Sequence, residues 1–334
     1  MAKEISLHDL KLLRYRFVED QGAPIQVLVD PYFTQRLELF EKDYNCLSDY
    51  NDYIKYLETD FDNNVVKYLE TYHSLRDRII GEVSQSNAFK DFEADEKITK
   101  AIKEYKPKIG NVNLYTQEQV KDGSNFFLSV DMKKANFQTL RYINPAIVYD
   151  CDTYEDFISK FTDMPWAKKS KRTREIIFGK LNPHRTMKYE AIIIGEVEKY
   201  VSLIVRDWFD LFSINSDEVI YKLKPGLDLD AAYRILKDAL SEESLFNITG
   251  IKLRAEFFKL VCYHFKTHNS DKIMNVFVKE DTTGKKTYKC ANEVYFPQTY
   301  KLINGLEIND DDLVFYYDKT ETAKFFHPLE MVTI

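Results

Sequence analysis

Ser124-Asn125-Phe126-Phe127-Leu128-Ser129-Val130-Asp131-Met132-Lys133-Lys134-Ala135-Asn136-Phe137-Gln138-Thr139-Leu140-Arg141 decides how the rest of the chain is read. Phe126 to Val130 is an unbroken apolar run, the signature of a buried strand. It ends on Asp131, and the period then changes. Ala135, Phe137 and Leu140 fall on one face of a helix. A carboxylate where a buried strand gives way to a helix is rigidly held at an exposed end, which suits it to holding a cation. Its plainer use is to cap the helix. The cation reading requires a second carboxylate elsewhere in the chain.

Downstream, Trp208 to Ile214 and Val219 to Leu223 are short strand-like runs flanking Asn215-Ser216-Asp217-Glu218, a hairpin-turn composition. Between the two regions lies the only dense basic run, Lys168 to Arg174, leading into Glu175-Ile-Ile-Phe-Gly179. A long helix fits residues 185–206, with Tyr189, Ile192, Ile193, Val197, Tyr200, Val201 and Ile204 as its apolar positions. Asp228 or Asp230 would cap a helix through Leu240. Ile248 to Leu253 reads as a further strand.

The middle of the chain therefore runs strand (126–131), helix (133–142), basic helix (171–179), long helix (185–206), hairpin (209–223), helix (228–241), strand (248–254). Reduced to its core, this is the ferredoxin-like order. The expected fold class is α+β, with a ferredoxin-like antiparallel sheet. In such a sheet the end of the first strand and the hairpin turn lie side by side, so Asp131 and Asp217 would approach one another. Two converging carboxylates repel unless a cation sits between them. Paired Mg²⁺ ions about 3.5–4 Å apart serve in-line phosphoryl transfer. Lys171, Arg172 and Arg174 would supply positive charge for a triphosphate. Each piece has a plainer reading: Asp217 as a turn residue and the basic run as a solvated face.

Three stretches resemble the palm domain of nucleic-acid polymerases, in the manner of family A DNA polymerases and single-subunit phage RNA polymerases. Val130-Asp131-Met132-Lys133-Lys134-Ala135-Asn136 is similar to their motif A. Arg174-Glu175-Ile176-Ile177-Phe178-Gly179 is similar to motif B, with Arg174 where the family has lysine. Ser216-Asp217-Glu218-Val219 is similar to motif C, with Ser216 where the family has histidine. The resemblance covers roughly residues 124–254, and the stretch between motifs B and C is shorter than in full polymerases. It implies a nucleotidyltransferase, with Asp131 and Asp217 holding Mg²⁺ or Mn²⁺ and Glu218 supporting them. Lys171, Arg172 and Arg174 would bind the triphosphate. Asn136, five residues after the motif A aspartate, would sit by the sugar. An amide there both donates and accepts, so sugar preference stays open. The implied partners are nucleoside triphosphates and a nucleic-acid primer or template, as in phage or virus replication. Two rivals use the same residues differently: a nucleotide cyclase or signalling-oligonucleotide synthase, and a non-catalytic nucleic-acid or protein-binding module.

Three segments are expected: a helical N-terminal lobe (1–110), a palm-like core (111–255) and a β-rich C-terminal region (256–334). Residues 33–105 place apolar residues among charges at helical spacing, and this lobe would also hold a protein partner. Lys106-Pro107-Lys108 and Gly110 mark the first boundary, and a polar turn at 121–124 precedes the central strand. Residues 149–166 read as a solvated acidic loop. Ile273–Val278 and Lys286–Val294, around Asp281 to Gly284, read as a hairpin.

The net charge of −7 gives no global nucleic-acid footprint, so any such binding needs a local patch. The four cysteines form no close pair, which with no signal-peptide pattern suggests an intracellular protein. No apolar run approaches a membrane span, so no membrane partner is expected. Cys262, His264, His268 and Cys290 invite a zinc reading, but their apolar surroundings favour a core cysteine and surface histidines.

Overall fold

The computed structural model describes residues 5–22, 24–120, 125–267, 272–289, 292–317 and 321–333. It is an α+β protein with an antiparallel sheet. The chain divides into two compact units, Tyr72–Lys259 and Met1–Thr71 with Leu260–Ile334. This division differs from the expected segments 1–110, 111–255 and 256–334. Among the described residues, no helix is long and apolar enough to cross a membrane.

The second-named unit opens with α1 (Leu7–Gln21), α2 (Tyr32–Tyr44), α3 (Cys46–Phe61) and the start of α4 (Val65–Gln85). Ser6 caps α1 as its sequence suggests, its hydroxyl accepting from the Asp9 N–H at 3.2 Å. Phe17, Phe33, Leu37, Phe40, Tyr53 and Leu57 form the buried face. These helices are tied to the C-terminal residues by contacts no local pattern could announce. Arg36 and Asp312, each 2% exposed, form an ion pair at 2.9 Å, and Lys301 reaches the other Asp312 oxygen at 2.5 Å. Gln26 exchanges two hydrogen bonds with the Tyr316 backbone. Phe40 lies 5.0 Å from both Phe296 and Tyr300.

The central unit takes the rest of α4, then α5 (Asn87–Ala94) and α6 (Glu96–Glu104) before the sheet begins. These helices are not part of a separate N-terminal lobe. Leu75, Ile79, Val83, Phe89 and Phe92 share a core with Phe137, Leu140 and Phe157. β1 (Phe126–Met132) and α7 (Ala135–Ile143) follow, close to the expected bounds. The segment expected as a solvated acidic loop instead forms α8 (Tyr154–Ser159), burying Tyr154, Phe157 and Ile158. Three of its carboxylates are engaged by neighbours: Asp152 by Arg141, Glu155 by Lys134 and Asp156 by Thr153. Then come α9 (Pro165–Lys169), α10 (Lys171–Phe178) and α11 (Pro183–Val205). Arg185 anchors the start of α11, donating to the Phe92 carbonyl at 2.9 Å and to Thr99 at 2.8 Å.

β2 (Phe209–Ile214) and β3 (Glu218–Leu223) form the expected hairpin. α12 (Leu229–Leu236) is capped by Asp228, which accepts from the Ala231 N–H at 2.8 Å. The strand expected from Ile248 is displaced. α13 (Glu242–Thr249) occupies its first residues, and β4 (Leu253–Lys266) starts later. The cause is local: Ser241 caps the helix and Gly250 ends it at φ 71°, the left-handed conformation that glycine adopts without strain.

Within this unit the strand order is β2-β3-β1-β4, antiparallel throughout. Strand alternation sends Leu128, Val130 and Met132 to one face. There they pack with Val219, Tyr221 and Leu253, beneath Ile193, Ile194, Val197 and Val201 of α11. Each fully buried side chain of this kind contributes ~1.5–3 kcal/mol.

The remainder of β4 belongs with the C-terminal residues. It pairs with β9 (Glu330–Val332), and β5 (Ile273–Asp281) and β6 (Lys286–Lys289) form the expected hairpin around Gly284. The expected β-rich character is interrupted by α14 (Phe296–Ile303), which begins with Pro297 in its first turn. A small pair, β7 (Val314–Tyr316) and β8 (Thr322–Lys324), completes this part. The expected polar turn at 121–124 lies outside the described residues.

Candidate active site

The antiparallel register of β1 and β3 sets Asp131 directly opposite Glu218. Directly opposed residues share a face, so two carboxylates meet there. On the other side of β1, Asp131 is opposite Arg254. The Met132 N–H donates to the Asp217 carbonyl at 2.8 Å, which seats the hairpin turn against the end of β1. Residues far apart in sequence thus converge at one end of the sheet. Like charges across a strand pair are destabilising, and this pair lies partly buried.

Glu218 is held in place by its neighbours. One carboxylate oxygen accepts from the buried Ser129 hydroxyl at 2.5 Å and the other from the Asn215 amide at 3.4 Å. Ser129 is two residues before Asp131, so it lies on the same face of β1. Tyr115 is pushed up to about 12 by burial, with the charges of Glu218 and Glu256 adding to the effect. Glu256 faces Ser129 across the β1–β4 register. Arg254, opposite Asp131, has its guanidinium 3.7 Å from Glu256.

Sequence reasoning passed over Glu190. It lies on α11, is 3% exposed, and its Oε1 has no hydrogen-bond partner among the described residues. Burial raises its carboxyl to about 7, and the Asp217 charge adds to the rise. The signal was present in the pattern. Glu190 precedes Ile193, Ile194 and Val197 by three, four and seven residues, which places it on the buried stripe of α11. Glu198 on the same helix shows the contrast. It is equally buried, but accepts from Ser202 at 2.5 Å and pairs with Lys108 at 3.1 Å.

The basic helix is placed by its apolar side. Thr173, Ile177 and Phe178 of α10 are buried, and Phe178 lies 6.1 Å from Phe137 of α7, the helix that follows Asp131. Ser170 caps α10, accepting from the Thr173 N–H at 2.9 Å. Arg174 lies over the Tyr154 ring at 5.7 Å, and so does Lys134. Because Lys134 is three residues past Asp131, that shared ring brings Arg174 toward the end of β1. Lys171 is exposed and pairs along its own helix with Glu175 at 3.6 Å. Arg172, in the first turn of α10, and Asn136, in the first turn of α7, are both partly buried.

Among the described residues, no group of three or more His, Cys, Asp and Glu side chains is arranged to hold a metal ion. Of the zinc candidates, His268 and Cys290 lie outside the described residues. His264 Nδ1 is 2.8 Å from Asn275 Oδ1 and 3.9 Å from Cys262 Sγ. Cys262 is partly buried, and burial pushes its thiol up to about 11.

No protein-family model matches the chain, and neither does any curated protein or solved structure.

Proposed function

We propose that the chain is a nucleotidyltransferase of palm type, joining nucleoside triphosphates to a 3′-hydroxyl. One observation carries this reading: the β1–β3 register that sets Asp131 opposite Glu218 and seats Asp217 against the residue after Asp131. The strand order β2-β3-β1-β4, with helices between β1 and β2 and between β3 and β4, supports it as well. It is the order of a ferredoxin-like sheet.

Asp131 and Asp217 are the oxygen donors that this reading assigns to a hard divalent cation. Carboxylate oxygens are the ligands Mg²⁺ and Mn²⁺ prefer. Asp131 and Asp217 would hold the ions. Bound there, Mg²⁺ or Mn²⁺ would favour loss of the proton from the attacking 3′-hydroxyl and would neutralise charge on the leaving pyrophosphate. Glu218 is a positioning residue, because both its oxygens are already committed to Ser129 and Asn215.

Arg174 binds the phosphates in this scheme. The Tyr154 face orients its planar guanidinium, and Lys134 adds a second cation on the same ring. Lys171 and Arg172 extend the positive surface along α10, and Asn136 is offered to the sugar from the start of α7. The nucleic-acid partner, and any protein held by the N-terminal helices, belong to the same proposal.

Incorporation of labelled dNTPs and NTPs, with Mg²⁺ or Mn²⁺ and with or without a primed template, tests it. Extension by the wild type that is lost in Asp131→Asn and Asp217→Asn supports the site. Equal silence of three folded proteins would refute it in favour of a binding module.

A further inference from the structure

We propose that the cavity lined by the end of α2, the β5–β6 hairpin and the end of α14 binds a phosphorylated sugar. The phosphate would lie against Lys42, Lys285 and Lys286, and a sugar hydroxyl against Asp43. The cavity holds about 880 Å³, room for a small organic ligand. All of its lining residues belong to the unit formed by Met1–Thr71 and Leu260–Ile334. Asp131, Asp217 and Arg174 belong to the other unit, so the inference does not rest on the nucleotidyltransferase reading. Side-chain bonds fix the walls. The buried Tyr288 and Tyr300 rings lie 5.0 Å apart. The Asn304 amide donates to the Tyr288 hydroxyl and to the Tyr300 carbonyl, each at 2.8 Å. The Tyr300 hydroxyl donates to Asp43 Oδ2 at 2.6 Å. In the hairpin turn, Asp281 Oδ1 accepts from the Thr283 and Lys285 N–H groups at 2.8 and 2.9 Å, and Gly284 takes φ 82°, which glycine does without strain. The backbone that presents Lys285 and Lys286 is thereby set.

The groups these bonds leave uncommitted select the ligand. The lining carries three cations, Lys42, Lys285 and Lys286, against two carboxylates, Asp43 and Glu280. Lys42 and Lys285 are exposed and pair with no carboxylate among the described residues. Lys286 donates to Asn304 Oδ1 at 3.3 Å, which leaves two of the three ammonium N–H bonds. Glu280 stands opposite Lys286 in the hairpin register, so those two charges offset each other. Uncommitted ammonium groups from two elements suit a phosphate. Asp43 narrows the choice. Its Oδ2 is committed to Tyr300, and its Oδ1 has no hydrogen-bond partner among the described residues. A carboxylate oxygen can only accept. A bare phosphate dianion offers it no donor and meets its charge, whereas a sugar hydroxyl donates to it, as ribose does to acidic side chains elsewhere.

The test is isothermal titration calorimetry of the full chain with ribose 5-phosphate, ribose, inorganic phosphate and ATP, with chelator present. The proteins are the wild type, Lys42→Ala, Lys285→Ala, Asp43→Asn and Arg174→Ala, each checked for fold by circular dichroism. Both lysines are exposed, so alanine there leaves the fold intact. The amide oxygen of Asp43→Asn still accepts from Tyr300, and only the second atom changes, from acceptor to donor. Ribose 5-phosphate should bind the wild type more tightly than ribose or phosphate does. Its affinity should fall about tenfold or more in Lys42→Ala, Lys285→Ala and Asp43→Asn, and stay unchanged in Arg174→Ala. ATP that binds more tightly still, and is weakened by the same lysine variants, supports a nucleotide as the source of the phosphorylated sugar. ATP that binds less tightly supports a free sugar phosphate. A wild type that binds no ribose 5-phosphate at millimolar concentration overturns the proposal. So does binding that survives both lysine variants, or that depends on Arg174 instead. Phosphate bound as tightly as ribose 5-phosphate, with Asp43→Asn indifferent, overturns it as well, since the cavity would then recognise no sugar.

Discussion

Replacing Glu190 by glutamine should change how stability depends on pH. In the folded chain, burial and the Asp217 charge raise this carboxyl from 4.5 to about 7. At about 1.4 kcal/mol per pH unit, that rise corresponds to ~3 kcal/mol. The folded state holds the Glu190 proton more tightly than the unfolded chain does. Its contribution is therefore fully present below pH 4.5 and is lost as pH rises through about 7. Above that it stays lost. Glutamine has nearly the same shape and no proton to lose. The stability of Glu190→Gln relative to wild type should therefore improve by ~3 kcal/mol between acid and alkaline conditions. The assay is urea denaturation of both proteins across pH 4.5 to 8.5, with chelator present so that no cation substitutes for the proton. Asp217→Asn removes the adjoining negative charge and should shrink the effect. Wild-type and Glu190→Gln profiles that run parallel over the whole range would refute the reasoning, because Glu190 would then titrate alike in the folded and unfolded chains.

Three further outcomes are expected. Asp131→Asn and Asp217→Asn should each lower nucleotide incorporation more than ~100-fold, since even residues behind a metal's direct ligands cost 10–100-fold; single-turnover rates check this. Arg174→Ala should raise the KM for nucleoside triphosphate while shifting stability by no more than ~0.5 kcal/mol, as for a surface change, and steady-state kinetics beside urea melts would read both. Asp312→Ala should destabilise by ~3–5 kcal/mol because it strands the buried Arg36 beside Lys301. A urea-derived loss under ~1 kcal/mol would mean that the pair is not what ties α2 to the C-terminal residues.

Much of the central unit was legible because its signals are local. The apolar run before Asp131 gave β1, and the helical spacing of Ala135, Phe137 and Leu140 gave α7. Two runs around Asn215 to Asp217 gave the hairpin. α13 was missed although its signals were equally local: Ser241 before Glu242 and Gly250 at the other end. An apolar run that includes Ile248 reads as strand when the caps around it are overlooked. α14 was missed similarly within a stretch of strand-like composition.

For β1, α7, α11 and the β2–β3 hairpin, the sequence alone determined which residues form the element and which side is apolar, because those depend on periods of about two and 3.6 residues. It also supplied Asp131, Asp217 and Arg174 as candidates. Tertiary structure decided the pairing. Only the register sets Glu218 opposite Asp131, since a slip of one residue would turn every side chain of the strand to the other face. Only packing distinguishes Glu190, buried with an orphaned oxygen, from Glu198, buried and satisfied. Contacts such as those of Arg36, Gln26 and Phe40 join the first helices to the last residues in one unit. Such contacts link positions hundreds of residues apart, and a local pattern carries no information about which distant segment will meet it.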